Sequence, residues 1–284
     1  MSPIPPPSDF PPTSEGRILS QDGLRLAWFR WDPPGVPRGT ICLGHGHGEH
    51  AARYHHVAQA FVRAGFAFLA LDWRGHGRSE GPHGHSPSLG QMVEDFGQLL
   101  AVASVRPLFA YGHSLGGLLV LIRGLTDPTG LHGVIASSPW LRLAFPAPAF
   151  KVLMGRMLKG ILPSMTVSTG LEQAALSQDP AVVAAYAGDP LVHDRLSFRL
   201  GLDILDAGER VLARASEFRL PLLLTHGEAD RIIDPKATQE FFERAGSPDK
   251  ALRLWPGLYH ETHNEPEWEK VVEVSTGWAV AHAR

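Results

Sequence analysis

Between residues 17 and 31 two stretches of alternating apolar and polar positions flank Gln21-Asp22-Gly23. Asp-Gly supplies the positive φ angles of a tight turn, so the pattern predicts a β-hairpin. Beyond it the alternation stops, and short, largely apolar runs appear at 40–43, 66–71, 107–111, 133–136, 221–225 and 251–255. Most are separated by helix-length segments such as 51–64 and 89–104. Strands that are apolar on both faces and alternate with helices predict an α/β architecture, a mostly parallel sheet with helices on both sides. No internal repeat is visible.

The rhythm breaks between 136 and 220. The first half of this insertion is apolar with basic punctuation: Leu141, Phe145, Phe150, Leu153, Met157 and Ile161, with Arg142, Lys151, Arg156 and Lys159 between them. Ligands of open α/β sheets bind at the C-terminal edge of the strands, so a helical cap over that edge is expected at 139–206. The core would then be 16–138 and 207–284. The alternative is a helical excursion packed on the core. Residues 1–15 are rich in proline and read as a flexible, polyproline-like arm, neither a secretory signal nor a membrane anchor.

The chemistry concentrates at Gly112-His113-Ser114-Leu115-Gly116-Gly117. A serine in Gly-x-Ser-x-Gly lies here between an apolar strand and an apolar helix, which is the setting of a nucleophile elbow. The turn is so tight that the residues flanking it must be small, hence Gly112 and Gly116. A second match, Gly77-Arg78-Ser79-Glu80-Gly81, lacks that setting and reads as a loop. A serine hydroxyl needs a histidine base, a carboxylate to orient it and N–H donors for the oxyanion. Asp230 and Glu228 follow the run at 221–225, and His260 and His263 follow the run at 251–255. Asp230 is favoured over Glu228, and over Asp234, whose place before Pro235 suits a helix N-cap. His260 is favoured over His263.

Charge and composition narrow the partners. With a net charge of −3 there is no electrostatic case for nucleic acid. The chain's one cysteine, Cys42, forbids an intrachain disulfide and fits a reducing, cytoplasmic setting. Histidines are abundant at 45–56, but His260-Glu261-Thr262-His263 is one residue short of the zinc motif that places two ligands on one helical turn. No metal and no cofactor is expected.

Several motifs in order resemble the monoacylglycerol lipase and lysophospholipase branch of the α/β-hydrolase fold. They are His45-Gly46-His47-Gly48-Glu49-His50 with Arg53-Tyr54, the segment from Asp72 to Gly81, the Ser114 motif, Ala229-Asp230 and Tyr259-His260. The resemblance runs from about Gly16 to His263. It implies a serine hydrolase of carboxylic esters with a triad of Ser114, Asp230 and His260. It further implies an oxyanion hole from the N–H groups of His47 and Leu115. Glu49, Arg53 and His263 would line the pocket for the alcohol part of the substrate. The expected substrate is a monoacylglycerol or similar single-chain lipid. The same machinery would also serve a general carboxylesterase or thioesterase, and a non-catalytic binder of apolar ligands is the remaining alternative. The apolar, basic-flecked cap is also suited to touching a membrane or micelle surface.

Overall fold

The computed structural model describes residues 3–147 and 149–283. The expected hairpin is present: β1 (Ser14–Leu19) pairs antiparallel with β2 (Arg25–Trp31), and Gly23 takes φ 87° in the turn. There follow β3 (Thr40–Gly44), α1 (His55–Arg63), β4 (Ala67–Leu71), α2 (Leu89–Val102), β5 (Leu108–His113), α3 (Leu115–Thr126) and β6 (Leu131–Ser137). The insertion then supplies α4 (Ala149–Leu158), β7 (Thr166–Ser168), α5 (Pro180–Gly188), β8 (Arg195–Ser197) and α6 (Phe198–Ala213). Finally β9 (Leu222–Gly227), α7 (Pro235–Arg244), β10 (Lys250–Trp255) and α8 (Trp268–His282) complete the core.

The main sheet has eight strands in the order β1-β2-β4-β3-β5-β6-β9-β10, parallel from β4 to β10. Successive residues of a strand face opposite sides, and this divides the interior into two layers. β3 sends Cys42 into the layer under α2, α3, α6 and α7, and sends Ile41 and Leu43 into the layer under α1 and α8. Burial pushes the Cys42 thiol up to about 12. Asp234 caps α7 as its position before Pro235 suggested, with its carboxylate accepting from Lys236 N at 3.0 Å.

The insertion departs from an all-helical cap. β7 and β8 form a separate antiparallel pair, and α6 is continuous across 206/207, where the cap was expected to end. Leu200, Ile204, Ala207 and Val211 of α6 all join the core, so this helix belongs to the sheet's cover rather than to the cap alone. The proline-rich arm also differs from the expected free segment. Met1 and Ser2 lie outside the described residues, but Ile4 and Phe10 pack against the α1/α8 layer. Trp31 Nε1 donates to Phe10 O at 3.1 Å. Among the described residues no helix is long and apolar enough to cross a membrane.

Candidate active site

Ser114 sits between β5 and α3 with φ 52° and ψ −114°, a left-handed backbone that a serine adopts only under constraint. The constraint is visible in its neighbours. A Cβ on Gly112 would lie 2.3 Å from Gly116 O, and one on Gly116 would lie 1.9 Å from Gly44 O. Only glycine lets the strand, the turn and β3 approach so closely. Ser114 N donates to Ser137 O at 3.0 Å, and Trp140 N donates to Ser114 O at 2.9 Å, tying the turn to β6 and to the start of the insertion. Ser79, the rival serine, is structural: it accepts from Ala27 N at 2.8 Å and donates to Asp72 O at 2.5 Å.

The C-terminal ends of β9 and β10 bring Asp230 and His260 to this turn. His260 Nε2 lies 3.0 Å from Ser114 Oγ, and His260 Nδ1 lies 2.7 Å from Asp230 Oδ2. A carboxylate only accepts, so the imidazole proton sits on Nδ1 and the Nε2 lone pair faces the hydroxyl. Burial alone would depress the His260 pKa, but the Asp230 charge and hydrogen bond raise it above the ordinary histidine value. Burial opposes ionisation of Asp230 as well, and there His260 and His226 win, holding the carboxyl well below its usual range. Glu228 is exposed and His263 does not reach the serine.

His226 plays a part that the sequence did not announce. Its Nε2 donates to Asp230 Oδ2 at 3.0 Å while Nδ1 accepts from Thr238 Oγ1 at 2.7 Å. Asp230 Oδ1 accepts from Ile232 N at 2.7 Å and Ile233 N at 3.0 Å. The carboxylate is thereby fixed from four directions. The only signal was His226 lying four residues before Asp230 at a strand end. Ser138 is a second unannounced member; it has φ 43°, and its hydroxyl donates to His260 O at 2.9 Å.

His47 and Leu115 flank the serine. Leu115 opens α3, where helix geometry offers its N–H no intrahelical acceptor. Gly116 N donates to His45 O at 3.1 Å, which staples the helix start to the loop that carries His47. Burial depresses the His47 imidazole to about 3. Glu49 braces the same loop: its Oε1 accepts from Gly46 N and from Tyr54 Oη, each at 2.6 Å. Arg53 pairs with Glu49 and, in bidentate fashion, with Glu261 at 2.8 and 2.7 Å. The Glu49 and Arg53 pair is therefore no exposed i, i+4 contact but part of a buried three-way network. Burial raises the Glu49 pKa, whereas for Glu261 the bidentate Arg53 outweighs burial and lowers it to about 2. His263 is wholly buried, stacked on Tyr54 at 4.7 Å and edge-on to His113 at 4.8 Å, and burial depresses it to about 3.

A cavity of about 70 Å³ opens above Ser114 and His260. Gly46, His47, Glu49 and Glu261 line its core side, and Trp140, Thr169, Leu171, Leu176 and Tyr186 of the insertion line the other. Glu49 thus reaches the cavity, while Arg53 and His263 stand behind its wall. The arrangement can bind a hydrophobic ester and carry out acyl transfer through serine.

Residues 35–267 match the profile of the family described as Hydrolase_4, serine aminopeptidase, S33. The monoacylglycerol lipase of Mycolicibacterium smegmatis is 38% identical over 95% of this chain and 98% of its own length. The monoglyceride lipase of Rattus norvegicus is 34% identical over 100% of this chain and 97% of its own. The crystal structure of the Paleococcus ferrophilus monoacylglycerol lipase superposes with a TM-score of 0.85 at 37% identity, covering 90% of this chain and 99% of that one. These matches and the sheet topology agree: the chain belongs to the Hydrolase_4 family of the α/β-hydrolase superfamily, in its monoglyceride lipase-like branch, and is a serine hydrolase acting on esters.

Proposed function

We propose that the protein hydrolyses single-chain lipid esters, monoacylglycerols foremost, through an acyl-enzyme on Ser114. The observation that carries the reading is the imidazole of His260 held between Ser114 Oγ and Asp230 in a cavity roofed by apolar side chains. His260 takes the hydroxyl proton as Ser114 attacks the ester carbonyl, and the N–H groups of His47 and Leu115 stabilise the oxyanion. The same imidazole then protonates the departing alcohol. Water, deprotonated by His260, releases the acid. Glu49 offers an acceptor to the alcohol part of the substrate, with Arg53 fixing its position from behind.

The family description names an aminopeptidase, which would need an anionic group free to hold a substrate ammonium. Glu49 and Glu261 both spend their charge on Arg53, which favours a neutral alcohol instead. A general carboxylesterase remains the second reading, favoured by the small volume of the cavity.

The insertion provides a surface for the substrate's own aggregate. Phe150, Leu153, Met157 and Ile161 are 59–75% exposed, with Arg156 and Lys159 among them. We place this face against a lipid surface, and the single sealed Cys42 supports a reducing, cytoplasmic setting; cell fractionation that finds the chain outside the cytoplasm would overturn the latter. The deciding experiment is hydrolysis of p-nitrophenyl esters from acetate to palmitate alongside a monoacylglycerol, with intact protein and Ser114→Ala. Activity that peaks at medium or long chains and vanishes in the variant supports the proposal. A flat rate across chain lengths leaves the general esterase, and activity that survives in the variant removes Ser114 as nucleophile.

A further inference from the structure

Two groups of side chains among the described residues bring metal-ligating atoms together: Glu49 with His113 and Glu261, and His47 with His76 and His193. The first already holds a cation, because Arg53 pairs with both carboxylates. The second does not. His47 comes from the loop after β3, His76 from the loop after β4 and His193 from the insertion just before β8, so no sequence spacing could have grouped them.

Backbone contacts fix where each ring carries its proton. A carbonyl oxygen only accepts, so the ring nitrogen facing one must be the N–H. His47 Nε2 lies 3.0 Å from Arg195 O, His76 Nδ1 2.9 Å from Arg74 O, and His193 Nε2 3.0 Å from Gly75 O. The lone pairs are then on His47 Nδ1, His76 Nε2 and His193 Nδ1. The first two nitrogens are 3.4 Å apart, with no proton left for a hydrogen bond between them. His193 Nδ1 receives only a 3.3 Å contact from Arg195 N. The facing lone pairs of His47 and His76 repel one another, and a cation placed between them reverses the sign of the contact.

The dimensions suit one particular kind of ion. Four ligands arranged tetrahedrally at about 2.0–2.1 Å stand about 3.3–3.4 Å from one another, close to the 3.4 Å between His47 and His76. The ring centroids of the trio are 5.2, 5.7 and 4.6 Å apart, and each ring offers one nitrogen within 4.8 Å of the other two. His47 Nε2, His76 Nδ1 and His193 Nε2 are anchored to backbone carbonyls, as the outer contacts of histidine ligands commonly are, and an ion on His193 Nδ1 would replace its hydrogen bond from Arg195 N. A cavity of about 290 Å³ has His47 and His193 in its wall and gives the trio an entry path.

We propose that His47, His76 and His193 bind one divalent d-block cation of the zinc type, with water completing the tetrahedron. The bound ion clasps the insertion to the core beside the oxyanion loop and reversibly slows turnover. Its binding stands independently of the ester-hydrolase reading, and its effect on turnover rests on that reading.

The test uses the full chain, stripped of metal and titrated with Co²⁺ and then Zn²⁺. One Co²⁺ per chain should bind with the strong visible bands of four-coordinate cobalt, and Zn²⁺ should displace it and raise Tm. Hydrolysis of p-nitrophenyl butyrate should fall at least tenfold with saturating Zn²⁺ and return with a chelator. His193→Gln keeps an N–H for Gly75 O but has no imidazole, so it should bind at least tenfold more weakly and escape the inhibition. A metal-free Tm near that of the parent shows that it is folded, and His132→Ala, on the exposed start of β6, serves as the unaffected control. No cobalt bands in the parent protein, or undiminished binding in both His193→Gln and His193→Ala, overturns the site. Binding with unchanged turnover overturns the clasp. A protein inactive on every ester removes the hydrolase reading, while the cobalt bands and the Tm shift still decide the site.

Discussion

The core wall of the catalytic cavity and the wall supplied by the insertion differ in how their side chains are held. On the core side, Asp230 accepts from two imidazoles and two backbone N–H groups, and Glu49 accepts from Gly46 N, Tyr54 and Arg53. On the insertion side, contact with the core runs through scattered single bonds from backbone and side chain alike, such as His193 N to Gly48 O, His50 Nε2 to Asp189 Oδ2 and Ser177 Oγ to Asn264 O. α4 lies beyond these, against Leu202 of α6, with a large apolar face in solvent. Charge developing during acyl transfer demands fixed dipoles, so the floor is over-determined. Admission of a substrate larger than a 70 Å³ cavity demands instead that part of the roof move.

Substitutions in the floor and the roof should therefore have very different effects. Ser114→Ala should lower kcat/KM on short esters by roughly 10⁴- to 10⁶-fold with the fold intact, as read by steady-state assay and circular dichroism. Arg53→Met should come next. It leaves Glu49 and Glu261 buried without their shared cation, a loss of about 3–5 kcal/mol that urea unfolding would register; a change below 1 kcal/mol would mean the network is not what stiffens the floor.

A pH profile gives a finer test of the same wall. His260 acts as a base only when neutral, and its pKa is raised, so kcat/KM should fall about tenfold per unit below a midpoint above about 6.5. Asp230, held low, adds no second limb in the mildly acid range. A midpoint below 6 would contradict the Asp230 contact as drawn. The smallest effect belongs to the roof. Phe150→Asp should change stability by no more than about 0.5 kcal/mol, leave short-ester turnover intact, and weaken sedimentation with phospholipid vesicles. Undiminished sedimentation would detach α4 from the lipid surface.

The sequence revealed these two regions unequally. Strands β3, β4, β5 and β9 stood out because burial on both faces leaves an uninterrupted apolar run, and the elbow stood out because Gly112 and Gly116 are dictated by backbone contact. Those signals are local. The Arg53 bridge to Glu261 and the His226 contact to Asp230 depend on which strand ends meet, information carried by the sheet order rather than by any one segment. The insertion was legible as an interruption but not in its detail: α6 reads as part of the cap until its apolar stripe, Leu200, Ile204, Ala207 and Val211, is seen to cover the sheet. The trio of His47, His76 and His193 is the extreme case, since its members share neither element nor period.

Cys42 faces the interior of β3 with no exposure and a thiol held far above its ordinary range, and no other cysteine exists in the chain. Reagents that attack thiolates therefore find nothing to modify. Any cysteine introduced on α4 would be the sole reactive handle, and a fluorophore attached there would report, without a background signal, whether this helix moves during turnover. The protein is thus already suited, without removal of any native residue, to time-resolved observation of that helix.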